Sequence, residues 1–218
     1  TLLTSATGDG KFLVCLDAPL RKTPGRWAGS LVAMSEQYAD DPGQLANLKR
    51  YYAELAERDF AADQTGLGER FPPDLAGVPR AGGTARCREC HDEDDDDWQQ
   101  SRHAHAWQSL VNKEAHVDPE CQRCHSTLYG LPGGFASVAR SPARVDVGCE
   151  SCHGPSLAHA ASTKVRTTLF ARAKDRCTAC HDRENSPKFD YETYWSQIRH
   201  GRKVVASSDG SGPSANRS

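Results

Sequence analysis

Eight of the nine cysteines and four of the nine histidines in this 218-residue chain fall into one repeated pattern, C-x-x-C-H. In this pattern two thiols add to the vinyl groups of a porphyrin and the next histidine binds its iron, which is the signature of c-type haem. The four copies are Cys87-Cys90-His91, Cys121-Cys124-His125, Cys149-Cys152-His153 and Cys177-Cys180-His181. Structural zinc would use the same cysteines but gives no reason for a histidine after every second one. The sequence therefore predicts four haem c groups, with these histidines as proximal iron ligands.

The remaining histidines are the main candidates for the second axial ligand of each iron. Met34 is the only methionine and lies well before the motifs, so a methionine ligand is available to one site at most. Five histidines lie outside the motifs, namely His103, His105, His116, His159 and His200. Four irons need four of them, so full bis-histidine ligation is possible with one left over. Such iron has no open position for a substrate, which favours electron transfer over catalysis at iron.

Two of these histidines lie in the stretch DDDDWQQSRHAHAWQSLVNK, residues 94–113. We predict one helix here, because acidic residues in its first turn suit the positive end of the helix dipole. On such a helix His103 shares a face with Trp107 and Leu110, whereas His105 points away from it. His103 is thus the stronger candidate ligand, and His105 could reach a different haem on the other side.

The composition is polar for a protein that must bury a core of its own, with 37% hydrophobic residues and a mean hydropathy of -0.68. Four porphyrins would supply the missing apolar mass. We therefore expect a mainly α fold with extensive loops, wrapped around a four-haem stack.

The motifs divide the chain into three parts. We predict a haem-free N-terminal arm at 1–85, a tetrahaem cytochrome domain at 86–205 and a Ser/Gly-rich tail at 206–218. In the arm, residues 1–20 are typical of two short strands around the Gly8-Asp9-Gly10 turn. Cys15, the odd cysteine, lies in an apolar run there, which indicates a buried thiol.

A helix follows in the arm, with Asp41 as its N-cap and Pro42 in its first turn. An apolar stripe formed by Leu45, Leu48, Tyr52 and Leu55 predicts that this helix packs on the rest of the protein. The Pro/Gly-rich residues 66–83 then form a linker into the haem region.

Haem is attached to C-x-x-C-H outside the cytoplasmic membrane, so we expect an exported chain that is periplasmic or extracellular. The sequence opens at Thr1 without a leader, which suggests that a leader has been removed. No apolar run is long enough for a membrane span. A net charge of -2 favours neither nucleic acid nor an anionic membrane as a partner.

Four segments resemble the tetrahaem cytochrome c-554 family: SRHAHAWQSL, DPECQRCH, VGCESCHGPSLAH and SPKFDYETYWSQIRHG. The resemblance covers about residues 86–201 and implies an electron carrier. In that family the histidine of the H-A-x-A segment and the one after the C-H-G-P loop are distal ligands, which fall on His103 and His159. His159 would then bind the iron of a haem other than the one its own loop attaches. The family position that matches His105 is occupied by another residue in the founding member, and His200 matches relatives that also carry SPKFD.

The distal ligands are therefore expected to be His103, His105, His159 and His200, with His116 as the reserve. The arm is also similar to the stretch that joins a metallophosphatase-like domain to a cytochrome domain in some multihaem proteins. This resemblance implies a chain cut from a longer precursor.

The function predicted is electron transfer to other redox proteins or to an extracellular acceptor. One form is a homo-oligomer, a filament in which the arm and the tail lie against neighbouring subunits and the haem chain continues between them. The alternatives are a soluble periplasmic shuttle and a nitrogen-compound oxidoreductase with one open haem.

Overall fold

The computed structural model of the protein describes residues 11–17, 27–68, 79–167 and 173–201. In these ranges two strands are followed by a series of helices, most of them short. The strands are β1 Phe12–Asp17 and β2 Ala28–Ala33. The α-helices are α1 Pro42–Arg58, α2 Thr84–Arg88, α3 Asp92–Gln99, α4 Ala106–Val111, α5 Pro119–His125, α6 Cys149–His153, α7 Leu157–Ala161, α8 Ala173–Cys180 and α9 Tyr191–Ile198. The 3₁₀ turns are Ala62–Gln64, Arg102–His105 and Pro142–Arg144. A mainly helical fold with long loops and one small hairpin is confirmed.

Helix α1 begins where the sequence predicts. The Asp41 side chain accepts a hydrogen bond of 2.9 Å from the amide of Gln44, and Pro42 occupies the first turn. The predicted apolar stripe is buried only at its C-terminal end, where Leu55 is 8% exposed, whereas Leu45 and Leu48 stay largely in solvent. The prediction that the whole stripe packs on the rest of the protein is therefore wrong for the first two turns of α1.

Strands β1 and β2 form an antiparallel pair in which Cys15 lies opposite Ser30. The strand predicted before the Gly8-Asp9-Gly10 turn lies outside the described residues, and β2 was not predicted from the sequence. Cys15 is half-buried rather than buried.

The hydrophobic core is small and joins the end of α1 to the loop after the second C-x-x-C-H motif. Ala62, Tyr129 and Phe135 form its centre, and the rings of Tyr129 and Phe135 stack at a centroid distance of 5.8 Å. Asp59, which follows α1 in the left-handed conformation, accepts hydrogen bonds from the Ser137 hydroxyl at 2.6 Å and the Val138 amide at 3.0 Å. The residues after α1 are thereby tied to the haem region.

The single helix predicted for residues 94–113 is wrong. Helix α3 ends at Gln99, and α4 begins only at Ala106. The His103 carbonyl accepts from the Val147 amide at 3.1 Å, and the Trp107 amide donates to the Asp146 side chain at 2.8 Å instead of to His103. Tertiary hydrogen bonds thus replace the helical bond that a continuous helix needs.

No helix among the described residues has the length and apolar character needed to cross a membrane.

Candidate haem sites

Short helices carry the attachment motifs. Helices α5, α6 and α8 each hold both cysteines of one motif, and α2 holds Cys87 with Cys90 and His91 directly after it. Two cysteines three residues apart lie on the same side of a helix, so both thiols can face one porphyrin edge. We number the sites 1 to 4 in chain order of their motifs.

Three of the four histidines predicted as proximal ligands face a second histidine. The ring centroids of His91 and His159 are 6.4 Å apart. Those of His181 and His103 are 6.1 Å apart, and those of His153 and His200 are 5.9 Å apart. Three of the four distal ligands expected from sequence thus each face one motif histidine. His159 faces site 1, His103 faces site 4 and His200 faces site 3.

These separations test whether the residues fit haem iron. With each imidazole nitrogen about 2 Å from a metal, two opposed rings would have centroids roughly 6 Å apart. Direct stacking would bring the rings closer, as in the His181–Phe189 pair at 4.8 Å. The cysteines of all four motifs are thiols and are not joined in disulfides, so the attachment chemistry is available. The residues present therefore fit c-type haem at sites 1, 3 and 4, where two histidine rings face each other at this spacing.

Several of these imidazoles already have a partner on Nδ1. Such a bond holds the ring in place and leaves Nε2 for a metal, which is the common arrangement of histidine ligands. The Nδ1 partners are the carbonyls of Val165 for His159, Ile198 for His200 and Ala106 for His125, at 2.8, 2.9 and 2.8 Å, and the Ser186 hydroxyl for His181, at 2.9 Å.

Burial also favours the neutral imidazole that binds iron. It lowers the pKa of His103, and the neighbouring His181 lowers it further. Burial is likewise the main cause that lowers the pKa of His153 and of His181. Burial thus disfavours the protonated form of these three rings. The neutral ring that results has a free nitrogen lone pair that can bind a metal.

Site 2 differs from the other three. Among the described residues His125 has no histidine ring facing it, and two spare histidines lie nearby. Burial raises the pKa of Asp146, while its bond from the Trp107 amide and the charges of His105 and His125 act in the opposite direction. Both imidazoles therefore lie close to one carboxyl group. His105 is exposed, and its Nε2 lies 3.0 Å from the Gln99 carbonyl, so its free nitrogen is Nδ1.

His116 has a different environment. Its ring meets Trp107 edge-on at a centroid distance of 6.2 Å. Its Nδ1 is buried and has no hydrogen-bond partner in the described part of the chain. The residue is thus a packed aromatic neighbour of the core as well as a spare ligand.

Contacts between thiols show which attachment motifs are neighbours. A hydrogen bond from Cys87 lowers the pKa of the Cys149 thiol to about 7, and one from Cys180 lowers that of Cys124 to about 7. Motif 1 therefore lies beside motif 3, and motif 2 beside motif 4. The guanidinium of Arg176 in α8 donates to the Ser151 carbonyl in α6 at 3.3 Å, which links motifs 3 and 4. Sequence gave no signal for this order, because it depends on tertiary contacts.

Across residues 11–17, 27–68, 79–167 and 173–201, which include all eight motif cysteines, no group of three or more Cys, His, Asp or Glu side chains is arranged to hold a metal ion.

Residues 86–154 match the model of a family described as cytochrome c554 and c-prime. The matched segment is about a third of the chain and contains the first three motifs and His103. No curated protein and no solved structure matches the chain. The family match confirms the resemblance for this segment and supports a c-type cytochrome role in electron transfer, with haem and its iron. Cytochromes of this class typically act outside the cytoplasm, and the match suggests an electron carrier.

Proposed function

We propose, from the cytochrome c554 segment at residues 86–154, that this chain is an exported carrier that moves electrons through four bis-histidine c-type haems. The observation that carries the proposal is the set of three histidine pairs, each spaced for one iron between two imidazoles. The assigned pairs are His91 with His159, His125 with His105, His153 with His200, and His181 with His103. His116 remains the reserve ligand, and the eight motif cysteines form the thioether bonds.

Bound haem supplies a one-electron Fe(III)/Fe(II) couple. The chain would hold two imidazoles at each iron. It buries the rings of His103, His153 and His181 in part, and it orients several of the rings through bonds to Nδ1. Ligand type and burial are the means by which a protein sets the potential of each site.

The contacts between motifs support a defined path for the electrons. Site 1 adjoins site 3 through Cys87 and Cys149, site 3 adjoins site 4 through Ser151 and Arg176, and site 4 adjoins site 2 through Cys180 and Cys124. The path 1–3–4–2 differs from the chain order and has sites 1 and 2 at its ends, where donor and acceptor would dock.

The first test is the number and spin state of the haems in the native protein. Mass spectrometry should show four covalent haems on one chain, and the oxidised protein should be low-spin. Carbon monoxide should leave the reduced spectrum almost unchanged, because six-coordinate iron offers no free position.

The same measurement separates the carrier from the enzyme alternative. A large high-spin fraction in the wild-type protein, together with stoichiometric binding of carbon monoxide to one haem, would favour a nitrogen-compound oxidoreductase with an open site. Fewer than four haems would contradict the proposed ligand set itself.

A filament is favoured over a single-chain shuttle by the surface of the arm. Leu13 and Phe12 are neighbours in β1 and so point to opposite faces of the hairpin, yet both are exposed, and Leu31 in β2 is 66% exposed. A two-stranded hairpin is marginally stable in water unless it packs on something further. We infer that a second copy covers it, while the Ser/Gly-rich tail proposed as another contact lies outside the described residues.

Replacing Leu31 with glutamate should break up such an assembly. Sedimentation of the native protein should give large particles, and electron microscopy should show filaments. The Leu31→Glu protein should sediment near the 23.8 kDa chain mass plus its haems, because a charge cannot be buried in an apolar contact without partners. Val111→Glu is the matched control, since Val111 is also exposed but lies outside the arm. A wild-type protein that sediments as a single chain would contradict the filament and favour the soluble shuttle.

A further inference from the structure

Glu150 is a charged side chain in an unusual place. It lies between Cys149 and Cys152 of the third motif and is only 1% exposed. Its carboxylate accepts three backbone hydrogen bonds, from the amides of Gly82 at 2.9 Å, Gly83 at 2.7 Å and Ser156 at 2.7 Å. The carboxylate therefore has a structural role, because without it each of these three backbone donors would lack a hydrogen-bond partner.

The three amides belong to elements that build two different sites. Gly83 is the N-cap of α2, which carries Cys87 of site 1. Ser156 is the N-cap of α7, which carries His159, the histidine that faces His91 in site 1. A further bond of 3.0 Å, from the Leu157 amide to the Arg80 carbonyl, joins the same two segments. Glu150 itself belongs to α6 of site 3.

A carboxylate has the chemistry that this position requires. Oε1 accepts from Gly82 and Ser156, and Oε2 accepts from Gly83. Glutamine is the same size, but one of its two terminal groups is an amide donor that would face a backbone donor. Aspartate keeps both acceptors but is one methylene shorter, so it cannot reach all three amides without a shift of the backbone.

We propose that Glu150 is a positioning residue that fixes the axial histidine pair of site 1 and places site 1 against site 3. This inference rests on the proposed function, since it requires haem iron between His91 and His159. Through Gly83 the carboxylate holds α2 and its thiol Cys87 beside Cys149, and through Ser156 it sets the position of His159. Loss of these bonds frees both halves of site 1 from α6 and leaves sites 2 and 4 unaffected.

Electron paramagnetic resonance of the oxidised protein tests this directly. The signal of a low-spin ferric bis-histidine haem depends on the angle between its two imidazole planes, which is 34° at site 1 against 52° at site 4 and 56° at site 3. The signal of site 1 is the one that disappears in His159→Ala. In Glu150→Gln this same signal should shift or broaden, while those of sites 2 and 4 stay at their wild-type positions.

Thr178→Ala is the matched control. Thr178 occupies the same position in the fourth motif, and among the described residues its hydroxyl bonds only to carbonyls of its own helix. All signals should be unchanged in this variant. Hydrogen–deuterium exchange provides a second readout. In Glu150→Gln the backbone amides left facing the new side-chain NH2 group, either Gly83 alone or Gly82 with Ser156, should exchange at least about tenfold faster, because local opening there no longer breaks a hydrogen bond.

If Glu150→Gln takes up fewer than four haems, Glu150→Asp is the variant to test. The same shift of the site 1 signal is expected in Glu150→Asp. A site 1 signal at its wild-type position in a fully loaded variant would overturn the proposal, whatever the amide exchange shows. Equal shifts of all four signals would also overturn it, because they indicate a general loss of structure. If the wild-type protein has no low-spin signal that His159→Ala removes, the proposed function fails instead.

Discussion

Replacing His159 with alanine should convert one of the four haem sites to high-spin iron that binds carbon monoxide. The His159 ring faces His91 at 6.4 Å, and its Nδ1 is held by the Val165 carbonyl, so Nε2 is its free ligand atom. Without it the iron of site 1 keeps only His91. About one quarter of the total haem should then react with carbon monoxide, and the potential of site 1 should rise, because a missing axial histidine favours the reduced state.

The control for this variant is Ser162→Ala, at the end of the same helix, where the side chain makes no hydrogen bond to the described residues. It should keep all four sites low-spin. Adding free imidazole to His159→Gly should restore the low-spin spectrum, because the ligand refills the position that the side chain left. A His159→Ala protein with four low-spin haems would remove His159 from the ligand set.

The attachment motifs could be read from sequence because each proximal histidine follows its cysteines directly. Which histidines oppose them could not be read in the same way. His159 belongs to the loop of the third motif but faces His91 of the first, and the two are brought together by the contacts of Glu150 with Gly83 and Ser156. Pairing of this kind depends on tertiary contacts between segments that are distant in sequence.

The same limit explains what was right and wrong in the fold. The start of α1 was predicted because an N-cap at Asp41 and a proline after it act locally. The helix over residues 94–113 was mispredicted because the Val147 amide and the Asp146 side chain compete for its backbone groups. Local pattern cannot reveal a competitor that approaches from another part of the chain.

Site 2 is where sequence and structure leave the clearest choice between ligands. The resemblance put His105 on a family position that another residue can occupy, and the structure shows no ring facing His125 within the described residues. Both His105 and His125 nevertheless lie close enough to Asp146 to lower the pKa of its carboxyl against the effect of burial. His116 instead packs on Trp107, which itself packs against the core.

His105→Ala should therefore make site 2 high-spin, and His116→Ala should leave it low-spin. In His105→Ala about one quarter of the haem should bind carbon monoxide, as in His159→Ala. A double variant with both His105→Ala and His159→Ala should bind carbon monoxide at about half of the haem. Because the Nε2 of His105 is engaged by the Gln99 carbonyl, ligation through Nδ1 is expected in the wild-type protein.

The variants His105→Ala and His116→Ala together identify the distal ligand of site 2. High-spin iron in His116→Ala alone would exchange the roles of the two histidines. If His105→Ala, His116→Ala and Met34→Leu all leave site 2 unchanged and the wild-type site is already six-coordinate, its ligand must come from another copy of the chain, since all nine histidines and the only methionine would then be accounted for. That outcome would make site 2, at one end of the proposed path, the place where electrons pass between subunits of a filament.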